Sequence, residues 1–339
     1  MSVKDYVCDN IDGPCRNEGQ GAGEILFIDP AFKQMVWGGK RLGEEWPYQI
    51  PGDNTGECWV SGNESEGCRI KEGKYQGYTL YELYKTHPEL FGGVDTERFP
   101  IMVKIIAAEK DLSVQVHPDD DYAKRVGDGS YGKTESWYVL ECEENAKMIV
   151  GHNAKDREEL KRMIDGGEWD RLIRKIPIHK GDFIQIAPGT LHAIEAGTVV
   201  LETQQNSDLT YRIYDYGRLV DGKPREMHID KGMDVIDVPA KAIEDCAKAT
   251  AHLPDNQVHL LLDCPYYRVF KLRITKPLKL MMQEFPFLMC SITEGEGQLN
   301  GHFIRKGDHF ILPDGFGQAG LQGNMEMIIS IVGSACIPK

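Results

Sequence analysis

From Ile25 onward, short apolar stretches alternate with turns rich in glycine, proline and acidic residues. ILFID, ECWVSG and CRI each read as a strand closed by a glycine-containing turn. TLYELYKTHPELFG instead spaces Leu80, Leu83 and Leu90 on a helical period, and Pro88 ends or kinks that helix. FPIMVKIIAAEKDLSVQVHP predicts two strands. The first is nearly all apolar, as expected of a strand buried on both faces. The second alternates, with Leu112, Val114 and Val116 facing one way and Ser113, Gln115 and His117 the other. SWYVLE and AKMIVG continue the β pattern.

Residues 155–176 interrupt it. Leu160, Met163 and Ile164 share a helical face, followed by Trp169, Leu172, Ile173 and Ile176. Asn153, with Asp156 three positions on, is placed to cap the start, and Gly166-Gly167 to break the segment into two helices. Strands resume in GDFIQIAPGTLHAI, TVVLETQQ and TYRIYDY. Weak periodicity to about residue 252 predicts a short helix or linker, and the chain closes on a β-rich block from Val258. One internal echo stands out. Gly181-Asp182-Phe183-Ile184 leads through Pro188-Gly189 to His192, and Gly307-Asp308-His309-Phe310 leads through Pro313 and Gly315 to Gln318. Aligned on Gly-Asp, Gln318 stands opposite His192, which implies two related β modules. Many short strands with Gly/Pro corners point to sandwich or jelly-roll barrels, an all-β chain with a small helical insertion. A polar stretch at 1–24 reads as a loose leader.

A length of 339 residues allows more than one hydrophobic core. With 53 acidic against 39 basic residues the net charge is −14, and no basic run offsets it, which argues against nucleic acid as a partner. A small phosphorylated ligand needs only a few local Lys and Arg. Nine cysteines without a CxxC pair fit reduced thiols rather than a disulfide framework or zinc knuckle. No apolar run is long enough to span a bilayer and the N-terminus lacks a signal-peptide core, so the expectation is a cytoplasmic protein without membrane contact.

Four residues can be gathered into a metal site. Gln115 and His117 lie two apart on one strand face. Glu135 follows the turn at 128–132, and His192 follows the second Gly/Pro corner. Two imidazoles, a carboxylate and an amide oxygen suit a borderline ion such as Zn²⁺, with room left for water or substrate. The same residues also fit blander roles: a rim histidine, a turn-capping histidine, a solvated acid. Lys133, two before Glu135, shares its face if the segment is extended. Arg212, opposing Tyr211 and Ile213, needs an anion: a substrate phosphate, Glu202, a developing enediolate, or a structural Arg–Glu pair.

With these segments in view, the chain resembles the type I mannose-6-phosphate isomerases of the short bacterial form. The stretches that carry the resemblance are Trp37-Gly38-Gly39, GECWVSG, VQVHPDD, GKTESWYVL, IAPGTLHAIEAG and TYRIYDYGR. The resemblance implies two cupin-type jelly rolls: a catalytic domain at 25–235 with its helical insertion near 153–176, then a linker and a second, metal-free cupin-like domain at 236–339. It implies one zinc ion per chain on His117, Glu135 and His192, with Gln115 as a fourth ligand or close partner. Lys133 and Arg212 would line the pocket, with Glu202 an acidic pocket position and Lys104 a further substrate contact. The substrate would be a hexose 6-phosphate; for the oligomeric state, which the sequence does not encode legibly, a monomer is the default expectation.

The chemistry so implied is aldose–ketose isomerisation between mannose 6-phosphate and fructose 6-phosphate. We expect proton transfer through a cis-enediol rather than a hydride shift, with Glu202 as base, Arg212 facing the enediolate and Lys133 holding the phosphate or a ring hydroxyl. Asp215 and Tyr214 are placed to orient those groups or simply to pack. Two rivals use the same residues: a metal-dependent cupin oxygenase on a two-His, one-carboxylate triad, and a sugar-phosphate-binding cupin without turnover.

Overall fold

The computed structural model describes residues 7–8, 23–62, 67–127, 131–281 and 285–337. The chain is predominantly β, arranged in three large antiparallel sheets. A seven-stranded sheet runs in the order Ala247–Ala249, Asp182–Ile186, Glu135–Cys142, Thr198–Gln205, Ile101–Ala108, Thr55–Trp59, Ala31–Gly39. A five-stranded sheet faces it, in the order Ile173–Pro177, Lys147–His152, His192–Ile194, Val114–Val116, Tyr211–Tyr214. Together they enclose the first barrel. A ten-stranded sheet, built mainly from strands after residue 257, forms the second.

Strand alternation explains how the layers divide. Every residue of Ile101–Ala108 and of Thr198–Gln205 is buried, as expected of central strands covered on both faces. Ile106, Ala108, Val200, Trp137 and Val139 turn into the first barrel, against Met148, Val150 and Ile194 of the facing sheet. Their neighbours Val103, Ile105, Leu201, Tyr138 and Leu140 turn the other way and pack on Met289, Ile311 and Ile328 of the second module. Glu202 and Gln204 keep the parity of Val200, so the period of two sends both polar groups into the first barrel.

The insertion forms helices Arg157–Asp165 and Trp169–Leu172, separated at Gly166-Gly167 as expected. Its cap is Asp156, whose side chain accepts from the Glu159 N–H. Asn153 instead donates to the carbonyls of Arg171 and Ile173, tying the insertion's end back to its start. Leu160, Met163 and Ile164 cover the outer face of the five-stranded sheet, against Val114, Ile149 and Ala193. The Leu80–Thr86 helix begins with a Thr79–Glu82 capping box and passes into a 3₁₀ turn at Pro88. The stretch of weak periodicity contains the helix Ile229–Val235 and the edge strand Ala247–Ala249.

Sheet membership crosses residue 235 in both directions. Leu26–Asp29 pairs with His309–Leu312 of the second module, whereas Ala247–Ala249 pairs with Asp182–Ile186 of the first. Most of the leader, Cys15 included, lies outside the described residues. Val7–Cys8 departs from the loose leader expected: it pairs antiparallel with Leu280 and Lys279.

The Gly-Asp echo is a repeat of local structure. Gly181 and Gly307 both have positive φ, 87° and 90°, which a residue with a Cβ adopts at a cost. In each turn the Asp side chain accepts a backbone N–H three residues earlier, from His179 and from Arg305. The following strands pair in matching register, Ile186 with Glu135 and Leu312 with Leu288.

Candidate metal centre

Three strands deliver the cluster. His117 directly follows Val114–Val116, Glu135 opens Glu135–Cys142, and His192 opens His192–Ile194. The candidate ligand atoms of these three buried side chains all lie within 4.8 Å of one another. Gln115 and His192 are register partners across the five-stranded sheet, and the Gln115 amide nitrogen stands 3.3 Å from His192 Nε2. An amide's oxygen and nitrogen exchange on a half-turn, so this position can equally offer Oε1 to the cluster.

Hydrogen bonds behind the rings fix their tautomers. His117 Nδ1 is 2.8 Å from the Leu209 carbonyl and His192 Nδ1 2.8 Å from the Thr190 carbonyl, so both Nδ1 atoms carry the proton and both Nε2 atoms present lone pairs. Those lone pairs face a carboxylate: His117 Nε2 is 3.5 Å from Glu135 Oε2, and His192 Nε2 is 3.2 Å from Oε1. Burial, reinforced by the Lys133 charge, pushes the His117 imidazole down to about 3, so it does not protonate to relieve the contact. His117 Nε2 and Glu135 Oε1 are buried without a hydrogen-bond donor, and Glu135 Oε2 has the Lys133 ammonium beside it. Acceptors converging on acceptors in a sealed site are costly unless a cation lies between them. The donor set fits a divalent ion of the zinc type.

A chain of alternating charge leads away from the cluster inside the barrel. Lys133 Nζ lies 2.7 Å from Glu135 Oε2 and 3.9 Å from Glu202 Oε1. Lys104 Nζ lies 3.0 Å from Glu202 Oε1 and 3.9 Å from Glu57 Oε1. Trp137 Nε1 donates to Glu202 Oε2 at 2.8 Å, and Trp59 Nε1 to Glu57 Oε2 at 2.5 Å. Burial disfavours the Glu135 charge, yet the Lys133 ammonium holds its carboxyl well below the usual range. Burial also opposes the Lys104 charge, but Glu202 and Glu57 override it and push its pKa upward.

Lys133, Glu202 and Lys104 therefore lie together beside the cluster. Glu57 is the member that sequence reasoning missed, although its alternation with Trp59 in GECWVSG was a readable sign that both turn inward.

Arg212 is the register partner of Gln115, so it extends the row His192, Gln115, Arg212 across three strands on one face. It donates to Ser113 Oγ and to the Glu226 carbonyl; among the described residues no carboxylate pairs with it, which removes the structural Arg–Glu reading. Burial, and next the neighbouring Arg225 charge, lower its pKa. Tyr214 and Asp215 are engaged by other side chains. A register shift after Arg212 carries Tyr214 outward to stack on Trp169, with ring centroids 4.4 Å apart, and Asp215 is held by both nitrogens of the Arg225 fork.

Comparison with known proteins bears on the whole of this arrangement. Residues 25–148 match the phosphomannose isomerase type I catalytic domain, and residues 257–332 match the mannose-6-phosphate isomerase cupin domain. The chain is 44% identical over 316 residues to the mannose-6-phosphate isomerase ManA of Bacillus subtilis, covering 91% of this chain and 98% of that protein. The chain belongs to the type I phosphomannose isomerase family. A mannose-6-phosphate isomerase of Streptococcus mutans is 42% identical over 313 residues, at 91% and 98% coverage. The crystal structure of the Bacillus subtilis mannose 6-phosphate isomerase superposes with a TM-score of 0.84 at 41% identity, over 91% of this chain and 99% of that one.

Within this phosphomannose isomerase fold the repeat accounts for the cluster being single among the described residues. Leu288 occupies in the second module the register position of Glu135, and Gln318 that of His192. Leucine has no donor to offer, so that barrel lacks the carboxylate on which the first one is built. No helix among the described residues is long and apolar enough to cross a membrane.

Proposed function

We propose that the chain interconverts D-mannose 6-phosphate and D-fructose 6-phosphate through a cis-enediol, at a zinc ion held by His117, Glu135 and His192 with Gln115 as fourth ligand. The observation that carries the metal reading is the convergence of three buried acceptor groups, His117 Nε2, His192 Nε2 and the Glu135 carboxylate, on one another. When bound, the ion would act as a Lewis acid on the oxygens at carbons 1 and 2, and would turn a network of three carboxylates and two ammoniums net positive.

The remaining work falls to the chain's own groups. Glu202 moves the proton between carbons 1 and 2. Its contacts with Lys104 Nζ and Trp137 Nε1 hold it aimed into the barrel. Arg212, without a carboxylate of its own, faces the negative charge that develops on the enediolate. Lys133 and Lys104 bind substrate oxygens, Lys133 from its place between Glu135 and Glu202. A monomer in the cytoplasm fits this reading, and the seven free cysteines among the described residues suit a reducing compartment.

The test is a coupled assay for fructose 6-phosphate formed from mannose 6-phosphate, run on native, chelated and zinc-restored protein. Activity that disappears on chelation and returns with zinc supports the reading. Activity indifferent to chelation overturns the metal's part in it, and oxygen uptake without isomerisation would favour the oxygenase.

A further inference from the structure

Asp120 begins the helix Asp120–Val126, three positions after His117, and its carboxylate gathers three separate parts of the molecule. Oδ1 accepts from the Gly132 backbone N–H and from Gln205 Nε2, each at 2.8 Å. Oδ2 accepts from the Tyr266 hydroxyl, also at 2.8 Å. Gly132 lies just before Lys133 and Glu135, Gln205 ends the strand that carries Glu202, and Tyr266 precedes the Tyr267–Ile274 strand of the second module. Two backbone bonds run parallel to this knot: Lys133 N–H to the Pro118 carbonyl at 2.9 Å, and Gln205 N–H to the Thr134 carbonyl at 3.0 Å. The approach is close. A Cβ on Gly132 would stand 2.3 Å from the Asp119 carbonyl carbon, so no larger residue fits without parting the two segments.

We propose that Asp120, anchored from the second module by Tyr266, is the positioning residue that sets Lys133 and Glu135 against His117. This inference rests on the metal reading above. It gives the second module, which lacks the carboxylate ligand in its own barrel, a part in the first module's chemistry. Neither Asp120 nor Tyr266 touches a candidate ligand atom; both act on the backbone from which Glu135 projects. A bond from Asp120 to the Gly132 N–H fixes where that segment leaves the turn, and Tyr266 fixes the carboxylate that makes the bond. Charge-assisted bonds to a backbone N–H are the kind that hold a ligand-bearing segment to within the tolerance a metal site requires.

The experiment compares the full chain with its Tyr266→Phe and Asp120→Asn variants. Zinc affinity is measured by chelator competition, the ligand field by the visible spectrum of Co²⁺-loaded protein, and kcat and KM by the coupled assay. Tyr266→Phe removes one hydroxyl and should weaken zinc binding by about fivefold, at or below the low end for groups behind the ligands. It should lower kcat more than KM changes and alter the Co²⁺ bands, with the thermal midpoint close to wild type. Asp120→Asn should weaken binding by roughly 10- to 100-fold. If Asp120→Asn fails to fold, Tyr266→Phe decides alone. A folded Tyr266→Phe with wild-type zinc affinity, spectrum and kcat overturns the proposal. Wild-type protein that takes up no zinc overturns the metal reading and this inference with it, before any variant is made.

Discussion

At the scale of single residues, the cluster is defined by what its atoms lack. Glu135 is nearly inaccessible, and its two oxygens face imidazole lone pairs, with the Lys133 ammonium beside Oε2. Replacing it by Gln removes the charge while keeping the shape. Zinc affinity is expected to fall by at least about 100-fold, more than for the groups behind the ligands, with isomerase activity following. Metal content after dialysis checks the first outcome and the coupled assay the second.

His309 in the second module gives a residue-scale prediction independent of metal. It is buried between the Ser291 and Tyr48 hydroxyls, and burial pushes its imidazole from the ordinary 6.5 down to about 3. Its folded-state pKa is thus below the unfolded one. Between the two values the unfolded chain binds the proton and the folded chain does not. The stability this group contributes is complete above pH 6.5 and is lost as pH falls toward 3, by up to ~1.4 kcal/mol per pH unit. Urea unfolding at pH 7.5 and pH 5 should show the drop, and His309→Gln should flatten it. An equal slope in the variant would assign the effect to other groups.

At the scale of elements, the helical insertion braces the sheet that carries His117 and His192. Leu160 is fully buried against that sheet's outer face. Leu160→Ala should cost about 2–5 kcal/mol, because the rigid strands behind it cannot close the cavity. Asp156→Ala, which frees the Glu159 N–H at the helix start, should cost only about 1 kcal/mol. Chemical denaturation of the two variants gives both numbers, and a smaller loss for Leu160 than for Asp156 would show that the insertion does not bear on the sheet. Alternation does similar work in the facing sheet. One parity of Thr198–Gln205 serves the interface between modules, and the other sends Glu202 into the barrel.

At the scale of the whole molecule, the two modules share a core. Phe91, Phe99 and Phe287 meet edge to face or tilted, with centroids 5.4 Å and 5.6 Å from Phe287 to the other two. Around the interface the repeat produces a clasp with pseudo-twofold character. Lys180 and Lys306, each preceding the Gly-Asp of its own turn, both reach Glu141 and Glu294. These four side chains are part exposed, so screening limits the clasp to a minor share of stability, and the apolar layer decides the outcome. Phe287→Ala should therefore cost about 3–5 kcal/mol, and calorimetry should still show one transition for both modules. Two resolved transitions in wild-type protein would mean that the modules fold independently.

The sequence by itself determined the β class, the insertion and its glycine break, the duplicated Gly-Asp turn, and the parity that puts Gln115 with His117 and Lys133 with Glu135. These are local properties: they follow from the periods of 2 and 3.6 and from what glycine and proline permit. The convergence of His117, Glu135 and His192, the outward turn of Tyr214 at a register shift, the exchange of strands across residue 235, and the Asp120–Tyr266 link were decided only in three dimensions. Each depends on which distant strands pair and in what register, and that is set by burial of both sheet faces at once rather than by any neighbouring residue. Glu57 shows the limit most clearly: its alternation with Trp59 pointed it inward, but only the packed barrel supplied Lys104 as its neighbour.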